Sequence, residues 1–493
     1  MQRKLKKPLM IVSIIALLIL AILMFRIANH LTVVKIAEDN VTHITLKGYS
    51  DDASQLNQTK VHQIIPVKTD KQAIIKQLQD ILKTAKADNL KVSLAGAKHS
   101  MGGHTMYPDG IVINMLPYKH MSLDSDNNIL TIGSGALWQE ALHYLDGYGK
   151  SVARMQAFSS FSVGGSISVN GHGWQKNMPP ISSSVISFDL MTHDGNIITC
   201  SRDENAELFS LVMGGYGLFG IILDVRLQVV DNVALEPDAK RLDTKDYLKY
   251  YQQMVTDNPN ANLAFGRLRI SDKNFLQQAT ITVFKQVDKP IPSMATDAKT
   301  EAKRLVFRGS VNNEYGKRLR WDLENIMNSV TERAVYSRNE ILNSDVSLIK
   351  NKNHNSTDIL HEYFIPQRHF YDYIADIKPI LQASDIDLMN ITIRAVNKDE
   401  DSFLNYARED VFGFVFLFNQ QKDEKDERAM QQLTQKLVNI AINNEGTYYL
   451  PYRLHVDKQT MRKSYPQADE FFSLKLKYDP DEVFSNQFYQ HYK

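Results

Sequence analysis

Two stretches of this chain hold residues whose types and spacing could do chemistry. Residues 94–106 read L-A-G-A-K-H-S-M-G-G-H-T-M, with His99 between Lys98 and Ser100, and Gly102 and Gly103 close behind. Glycine lets backbone approach a ligand closely or take a positive φ. A histidine beside free backbone N–H groups suits a bound phosphate or an anionic ring system. Taken alone, the stretch reads equally well as a surface turn containing a histidine. Residues 158–174, F-S-S-F-S-V-G-G-S-I-S-V-N-G-H-G-W, tip the balance, with His172 flanked by glycine on both sides. A packed core seldom strings together so many small polar residues. Backbone wrapped around a large planar cofactor does.

The elements that must position these residues follow from periodicity. A strand-like run over 90–94 delivers His99 to its loop. Before it, Asp70 offers an N-cap, and Ile74, Ile75, Leu78, Ile81 and Leu82 recur at helical spacing, so a helix is expected to end near residue 89. Short strands are expected over 111–114 and 129–133, then a helix over 137–145 closed by Gly147. Apolar runs over 185–191 and 196–200 flank Asp194-Gly195, a hairpin signal. Asp203 precedes a helix carrying Leu208, Phe209, Leu211 and Val212, and residues 219–229 alternate as a half-buried strand. Short strands mixed with helices in this way give an α+β domain.

Residues 215–220, G-Y-G-L-F-G, match G-x-G-x-x-G. The dinucleotide fingerprint needs a strand before it and a helix after it. Here the order is helix, glycines, strand, so no Rossmann NAD site is expected. A glycine helix cap followed by a bulge explains the same residues.

The chain has 493 residues, enough for two or three domains with real cores. A formal net charge of +1 argues against a nucleic-acid partner. A lone cysteine, Cys200, excludes a disulfide framework, and His99, His104 and His172 form no H-E-x-x-H or H-x-x-E-H pattern, so no metal site is expected.

Arg3, Lys4, Lys6 and Lys7 precede an uncharged run over 8–25. Eighteen helical residues at ~1.5 Å each reach roughly 27 Å, about the thickness of a bilayer core. Residues 1–30 are therefore expected to form one membrane anchor, with a cytoplasmic N-terminus and an extracytoplasmic body. A cleaved signal peptide is the rival reading. Residues 31–56 read as a polar spacer, with a short strand over 41–46.

Past residue 231 the texture changes to a polar stretch over 231–260. Strands follow over 263–270 and 280–285, then a charged helical region over 317–342. Next come a strand (361–365), helix (366–382), strands (387–396 and 411–419), helix (427–443) and strand (446–450). That order, β-α-β-β-α-β, is ferredoxin-like.

Three of these segments resemble the flavin-contacting segments of the vanillyl-alcohol oxidase superfamily: G-A-K-H-S-M-G-G-H (96–104), S-V-G-G-S-I-S-V-N-G-H-G (162–173) and V-M-G-G-Y-G-L-F-G-I-I (212–222). The C-terminal Y-Y-L-P-Y-R and Y-P-Q-A-D-E-F-F-S-L-K-L-K-Y-D-P-D-E-V-F-S-N-Q-F resemble the tails of cytokinin dehydrogenases and of decaprenylphosphoryl-ribose oxidase. The resemblance implies a two-subdomain PCMH-type FAD-binding domain over 57–232, a ferredoxin-like substrate domain over 233–470, and a tail over 471–493 returning to the flavin domain. It implies FAD contacts from Ala95, Gly96, Ala97, Lys98, His99, Ser100, Gly103 and His104. It also implies them from Gly164, Gly165, Ser166, Ser168, Asn170, His172 and Gly173, and from Gly217, Gly220, Ile221 and Asn486. His99 stands where covalently flavinylated members carry histidine, although Lys98 replaces a glycine common there.

Flavin accepts the hydride while the protein handles the proton. A CH–OH substrate needs a base or a stabilised alkoxide. Arg394 aligns loosely with the Arg of the E-x-R motif in alditol and aldonolactone oxidases, but Thr392 replaces its acid. Glu362 and Tyr452 are the other candidates. The blander alternatives are a solvated strand residue at 394 and a sheet-edge charge at 362. Cytokinin dehydrogenases carry an Asp base where this chain has Ala157, which disfavours amine oxidation. Ser166 matches a small polar residue of alditol oxidases. The expected substrate is a sugar, polyol or lactone alcohol, with O2 or a quinone as electron acceptor. A membrane-tethered dehydrogenase of a lipid-linked sugar and a non-catalytic flavin-binding protein are the alternatives.

Overall fold

The computed structural model describes all residues except 1–2, 39–43, 295–299 and 332–333. The chain opens with α1 (Arg3–Glu38), then β1 (Gln63–Pro66), α2 (Lys71–Ala87), β2 (Val92–Ala95) and β3 (Ile111–Asn114). The α2 helix starts where Asp70 accepts a hydrogen bond from the Ala73 N–H, and it buries Ile74, Leu78, Ile81, Leu82 and Ala85. Those side chains cover a three-stranded parallel sheet in the order β1-β3-β2. The β2 strand ends at Ala95, so the chain leaves the sheet directly into the segment that carries His99.

A second sheet comprises β4 (Met121–Asp124), β5 (Ile129–Gly133), β6 (Lys150–Val152), β7 (Val185–Met191), β8 (Ile197–Ser201) and β9 (Ile221–Asp231). It is antiparallel, in the order β8-β7-β9-β5-β4, with β6 on the far end of β9. Helices α3 (Trp138–Asp146), α4 (Val163–Ser168) and α5 (Ala206–Val212) pack beside it. The Asp194-Gly195 turn joins β7 and β8 as expected, and Gly195 adopts φ +83.

The third sheet has eight strands: β10 (Ala234–Asp243), β11 (Ala261–Leu268), β12 (Gln278–Gln286), β13 (Tyr336–Ser337), β14 (Ser356–Pro366), β15 (Asp387–Val396), β16 (Val411–Gln421) and β17 (Thr447–Tyr448). Their order is β13-β10-β12-β11-β15-β16-β14-β17, and every pairing is antiparallel. With α8 (Phe370–Gln382) and α9 (Glu424–Asn443), the last four strands make the expected ferredoxin-like unit. The α+β class stands.

Three expectations change. Residues 231–260 hold the ten-residue strand β10, hidden in sequence because Glu236, Pro237, Asp238, Lys240 and Arg241 break its apolar alternation. The helical region over 317–342 is α7 (Glu314–Thr331), preceded by a helix that periodicity missed, α6 (Thr300–Arg308), and followed by β13 and a short helix, Arg338–Leu342. The supposed spacer is built into the fold: buried Asp52 accepts from the Gly103 N–H at 2.8 Å, and the Ala53 N–H donates to Ser100 O. The strand expected over 41–46 lies partly outside the described residues, and residues 44–46 form none.

Among the described residues, no helix is long and apolar enough to cross a membrane, so the expected transmembrane anchor is not found. The side chains of residues 8–12, 16, 19–20 and 23 fall outside the description. The helix does not stop at the end of the apolar run but continues onto the protein. His30 Nε2 donates to Gly309 O at 2.9 Å, and the Arg26 guanidinium sits over the Tyr315 ring. At the end of α1, buried Glu38 pairs with Arg304 and Arg308 of α6. Arg308 also reaches Asp358 on β14 at 2.6 Å.

Breaking one member of a buried ion cluster costs about 3 kcal/mol. Glu38→Gln is therefore expected to lower the thermal unfolding midpoint by several degrees. Removal of residues 1–25, which spares Glu38, is expected to leave it nearly unchanged. Circular dichroism melts of the two variants check both outcomes.

Candidate functional site

One cavity of about 810 Å³ lies between the glycine-rich segments and one face of the eight-stranded sheet. That volume falls within the range of small-molecule and cofactor sites. Its first wall is the segment leaving β2, from Leu94 to Ser100. The His99 ring stacks on Phe161 with centroids 3.9 Å apart. Burial lowers its pKa below the ordinary imidazole value, against a backbone hydrogen bond at Ser160 and the Asp345 charge, so the ring is neutral near pH 7. Lys98 takes φ +58, the left-handed region that favours glycine. Its Nζ turns to Ser50 Oγ at 2.9 Å.

The second wall is α4 and the loop after it. The two walls press close: a Cβ at Gly96 would collide with Ser162, and one at Gly164 would sit 2.8 Å from Ser134 Cβ. Ser166 is braced inward, accepting from Trp138 Nε1 at 2.9 Å and donating to Ser162 O. His104 is buried, and its pKa is driven down to about 3 by that burial, while Nε2 donates to Leu450 O.

The third wall is the sheet face. Register aligns its side chains in rows: Glu362 (β14), Val415 (β16), Thr392 (β15) and Arg267 (β11) are successive cross-strand partners. The next rows hold Gly413 with Arg394 on one side, and Leu360, Leu417 and Asn390 on the other. A Cβ at Gly413 would sit 3.2 Å from the Phe364 ring and 3.4 Å from His172 Cε1, so this glycine leaves room for both rings.

Glu362, only 3% exposed, accepts from His172 Nε2 on one oxygen and from Tyr452 OH, at 3.1 Å, on the other. Burial pushes its carboxyl up. His172, the nearby Arg394 charge and the Tyr452 hydrogen bond outweigh that and hold it below the ordinary value. Burial first, then Glu362, push the Tyr452 phenol well above its usual range. The Arg394 side chain makes no hydrogen bond among the described residues, and its Nε is a buried donor without a partner.

The cavity is lined with such orphans: Ser100 Oγ, His104 Nδ1, Thr105 Oγ1, Ser134 Oγ, Gln156 Oε1, His172 Nδ1 and Trp174 Nε1. Each buried polar atom left unpaired costs roughly 1–3 kcal/mol. A ligand rich in donors and acceptors removes that cost, and FAD, with its ring edge, ribityl hydroxyls and phosphates, is such a ligand.

Of the residues singled out from sequence, Ala95, Gly96, Ala97, Lys98, His99, Ser100, His104, Gly164, Gly165, Ser166, Ser168, His172, Gly217, Ile221, Glu362, Arg394 and Tyr452 all line this cavity. Gly103, Asn170, Gly173, Gly220 and Asn486 do not. Asn170 instead donates to Asp399 and accepts from the Ser182 N–H, tying the loop to the cap. Asn486 caps the final helix and donates to Tyr216 O. Gly103 takes φ +67 against Gln487, while a Cβ at Gly173 or Gly220 would strike backbone at Met155 or Met191. These five shape the walls from behind.

Sequence reasoning missed Phe161, Gln156, Arg267 and Asn390. One of these had a signal: stepping by two along β15 from Arg394 through Thr392 reaches Asn390, whose side chain donates to Thr392 Oγ1 at 2.8 Å.

Residues 225–492, more than half the chain, match the family model described as D-arabinono-1,4-lactone oxidase, and residues 73–201 match the FAD binding domain. The chain belongs to the D-arabinono-1,4-lactone oxidase family. The resemblance to the vanillyl-alcohol oxidase superfamily is borne out, and the cofactor is FAD. Cytokinin dehydrogenase 4 of Arabidopsis thaliana is 22% identical over 435 residues, 82% of this chain and 81% of that protein. Mitochondrial L-galactono-1,4-lactone dehydrogenase of the same plant is 23% identical over 48% of this chain and 38% of its own length. L-gulonolactone oxidase of Bos taurus is 27% identical over 33% of this chain and 37% of its own length. Cytokinin dehydrogenase 2 of A. thaliana is 33% identical, but the match spans 28% of each chain.

The tight crossing of the walls predicts a suppressor. Gly96→Ala is expected to reduce bound FAD, read as flavin absorbance per protein, and Ser162→Gly in the same chain is expected to restore it.

Proposed function

We propose that this protein oxidises a CH–OH group of a sugar-lactone or polyol-type substrate. One observation carries the reading: Glu362, His172, Tyr452 and Arg394 converge in the cavity that the FAD binding domain opens onto. Bound FAD supplies the two-electron acceptor. The chain does the rest. Glu362, ionised and closed off from water, takes the hydroxyl proton. His172 and Tyr452 hold its two oxygens in place. Arg394, with a free donor, stabilises charge on the substrate oxygen as the C–H bond breaks. Ala157 also lines the cavity, where cytokinin dehydrogenases carry an Asp base. A methyl group there has no proton to move, which favours the alcohol over the amine.

In this reading residues 57–232 hold the cofactor, residues 233–470 cover it, and residues 471–493 close the structure beneath β2, where Val92 bridges Phe484. His99, neutral and against Phe161, is proposed to bear FAD covalently. The exposed apolar side chains Ile14, Ile15, Leu17, Leu18 and Ile22 of α1 favour keeping the protein at a membrane, with a quinone beside O2 as electron acceptor.

Glu362→Gln is expected to lower kcat/KM by ~10²–10⁴-fold with FAD content unchanged. Because the folded carboxyl sits below the ordinary value of about 4.3, activity is expected to hold as pH falls past that value. The same sign applies to stability: the ionised carboxylate's contribution is present above the unfolded value and disappears as pH falls through the folded one. Full activity of Glu362→Gln on galactono- or gulonolactones would refute the assignment. Oxygen uptake against quinone reduction separates the acceptors. Acid precipitation tests His99: a yellow wild-type pellet and a colourless His99→Ala pellet are expected, while a colourless wild-type pellet removes covalent attachment.

A further inference from the structure

The cavity does not end at the polar row. Two residues along the strands from Glu362 and Val415, roughly 7 Å away, the same sheet face presents Leu360 and Leu417. Over them lies α6. Its residues 302, 303, 306 and 307 line the cavity, and its residues 304 and 308 face the opposite way, onto Glu38. That division is one helix with two faces. Val306 and Phe307 on the inner face, with Leu348 and Ile349 beside them, give this end of the cavity an apolar lining, with Lys303 and the Arg320 guanidinium, 4.5 Å from the Phe307 ring centroid, at its margin. Phe307 and Leu417 belong to one small hydrophobic cluster, with Ile349 and Leu360 packed against it.

A lactone or polyol has no apolar part to place there. It would fill the polar end, where Arg394 and Glu362 stand, and leave the leucine, valine and phenylalanine side chains under α6 to ordered water. A substrate with a hydrocarbon chain would fill both ends at once.

We propose that the substrate is an amphiphile: a hydroxylated head oxidised at Glu362 and Arg394, and an alkyl chain bound between α6 and the Leu360–Leu417 row. This rests on the alcohol-oxidising reading for the head alone; the chain slot is independent of any turnover. The roof of the slot is fastened by Glu38 to α1, whose exposed apolar side chains offer the same chemistry outside the cavity.

The test uses the holoprotein and methyl, butyl, octyl and dodecyl β-glucosides below their micelle concentrations, with binding measured by calorimetry. Affinity is expected to rise about fourfold per methylene until the slot is full, the equivalent of 0.8 kcal/mol each. Val306→Asp is expected to abolish most of that rise, and Val306→Trp to make it level off at a shorter chain. The octyl-to-methyl affinity ratio is the quantity compared, so weak binding of the head itself does not obscure it. A wild-type affinity independent of chain length overturns the proposal, as does an unchanged ratio in both variants. Failure of the oxidoreductase reading is a different result: no bleaching of bound flavin by any alcohol, with the chain-length dependence intact. A slot that takes free amphiphiles but not bilayer lipid would show the rise with glucosides and no depletion by phosphatidylcholine vesicles. Depletion by vesicles that is lost in Val306→Asp assigns the source to a membrane.

Discussion

An ionised carboxylate shut away from water is the constraint from which the rest of this site follows. Glu362 is almost fully buried, and burial by itself would neutralise it. It stays charged because three groups from three parts of the chain converge on it: His172 from the loop after α4, Tyr452 from the segment after β17, and Arg394 from β15. None is near the others in sequence. In the proposed mechanism this carboxylate accepts the substrate proton, and the fold that keeps those partners in place is the device that keeps it ionised.

That requirement explains the architecture between the partners. His172 must cross from the flavin half to the cap sheet, so residues 170–173 are narrow and densely braced: Asn170 to Asp399, Tyr406 OH to Asn170 O, Tyr449 OH to Val169 O. Gly413 sits on the strand beside Glu362, where a Cβ would press on the Phe364 ring and touch the His172 imidazole. The same economy of space governs the other wall, where glycines and serines of two segments interlock.

The sequence made one part of this legible and hid another. Local signals carried α2, the hairpin at Asp194-Gly195, the ferredoxin-like order of the cap and both glycine-rich walls, because caps, periodicity and turn residues act over a few positions. What was hidden was long-range. No local pattern says that Glu38 meets Arg304 and Arg308, some 270 residues away, or that a supposed spacer lends Asp52 to the Gly103 N–H. Strand β10 was hidden because a strand inside a broad sheet does not need apolar alternation when its own charged residues pair with the next strand, as Asp238 does with Lys285 of β12. Five glycine and asparagine positions expected at the cofactor do not line the cavity, since sequence resemblance marks positions without distinguishing a contact from a brace.

If Glu362 does the work of the absent acid of the E-x-R pattern, as proposed, register has moved the functional group within one row of the sheet. Thr392 stands where the acid would be, yet Glu362 occupies the same cross-strand row two strands over, about 10 Å along the sheet. Val415 between them is small enough to leave the carboxylate in the open cavity. An acid at 392 would lie beside Asn390, Arg267 and the Arg320–Glu324 pair, where a second buried carboxylate would compete for the same guanidiniums. Placed on β14, it finds His172 and Tyr452 instead and leaves Arg394 free of a committed partner. In the proposed mechanism, proton acceptance and charge stabilisation are thereby divided between two strands, and the division leaves Arg394 with an open donor.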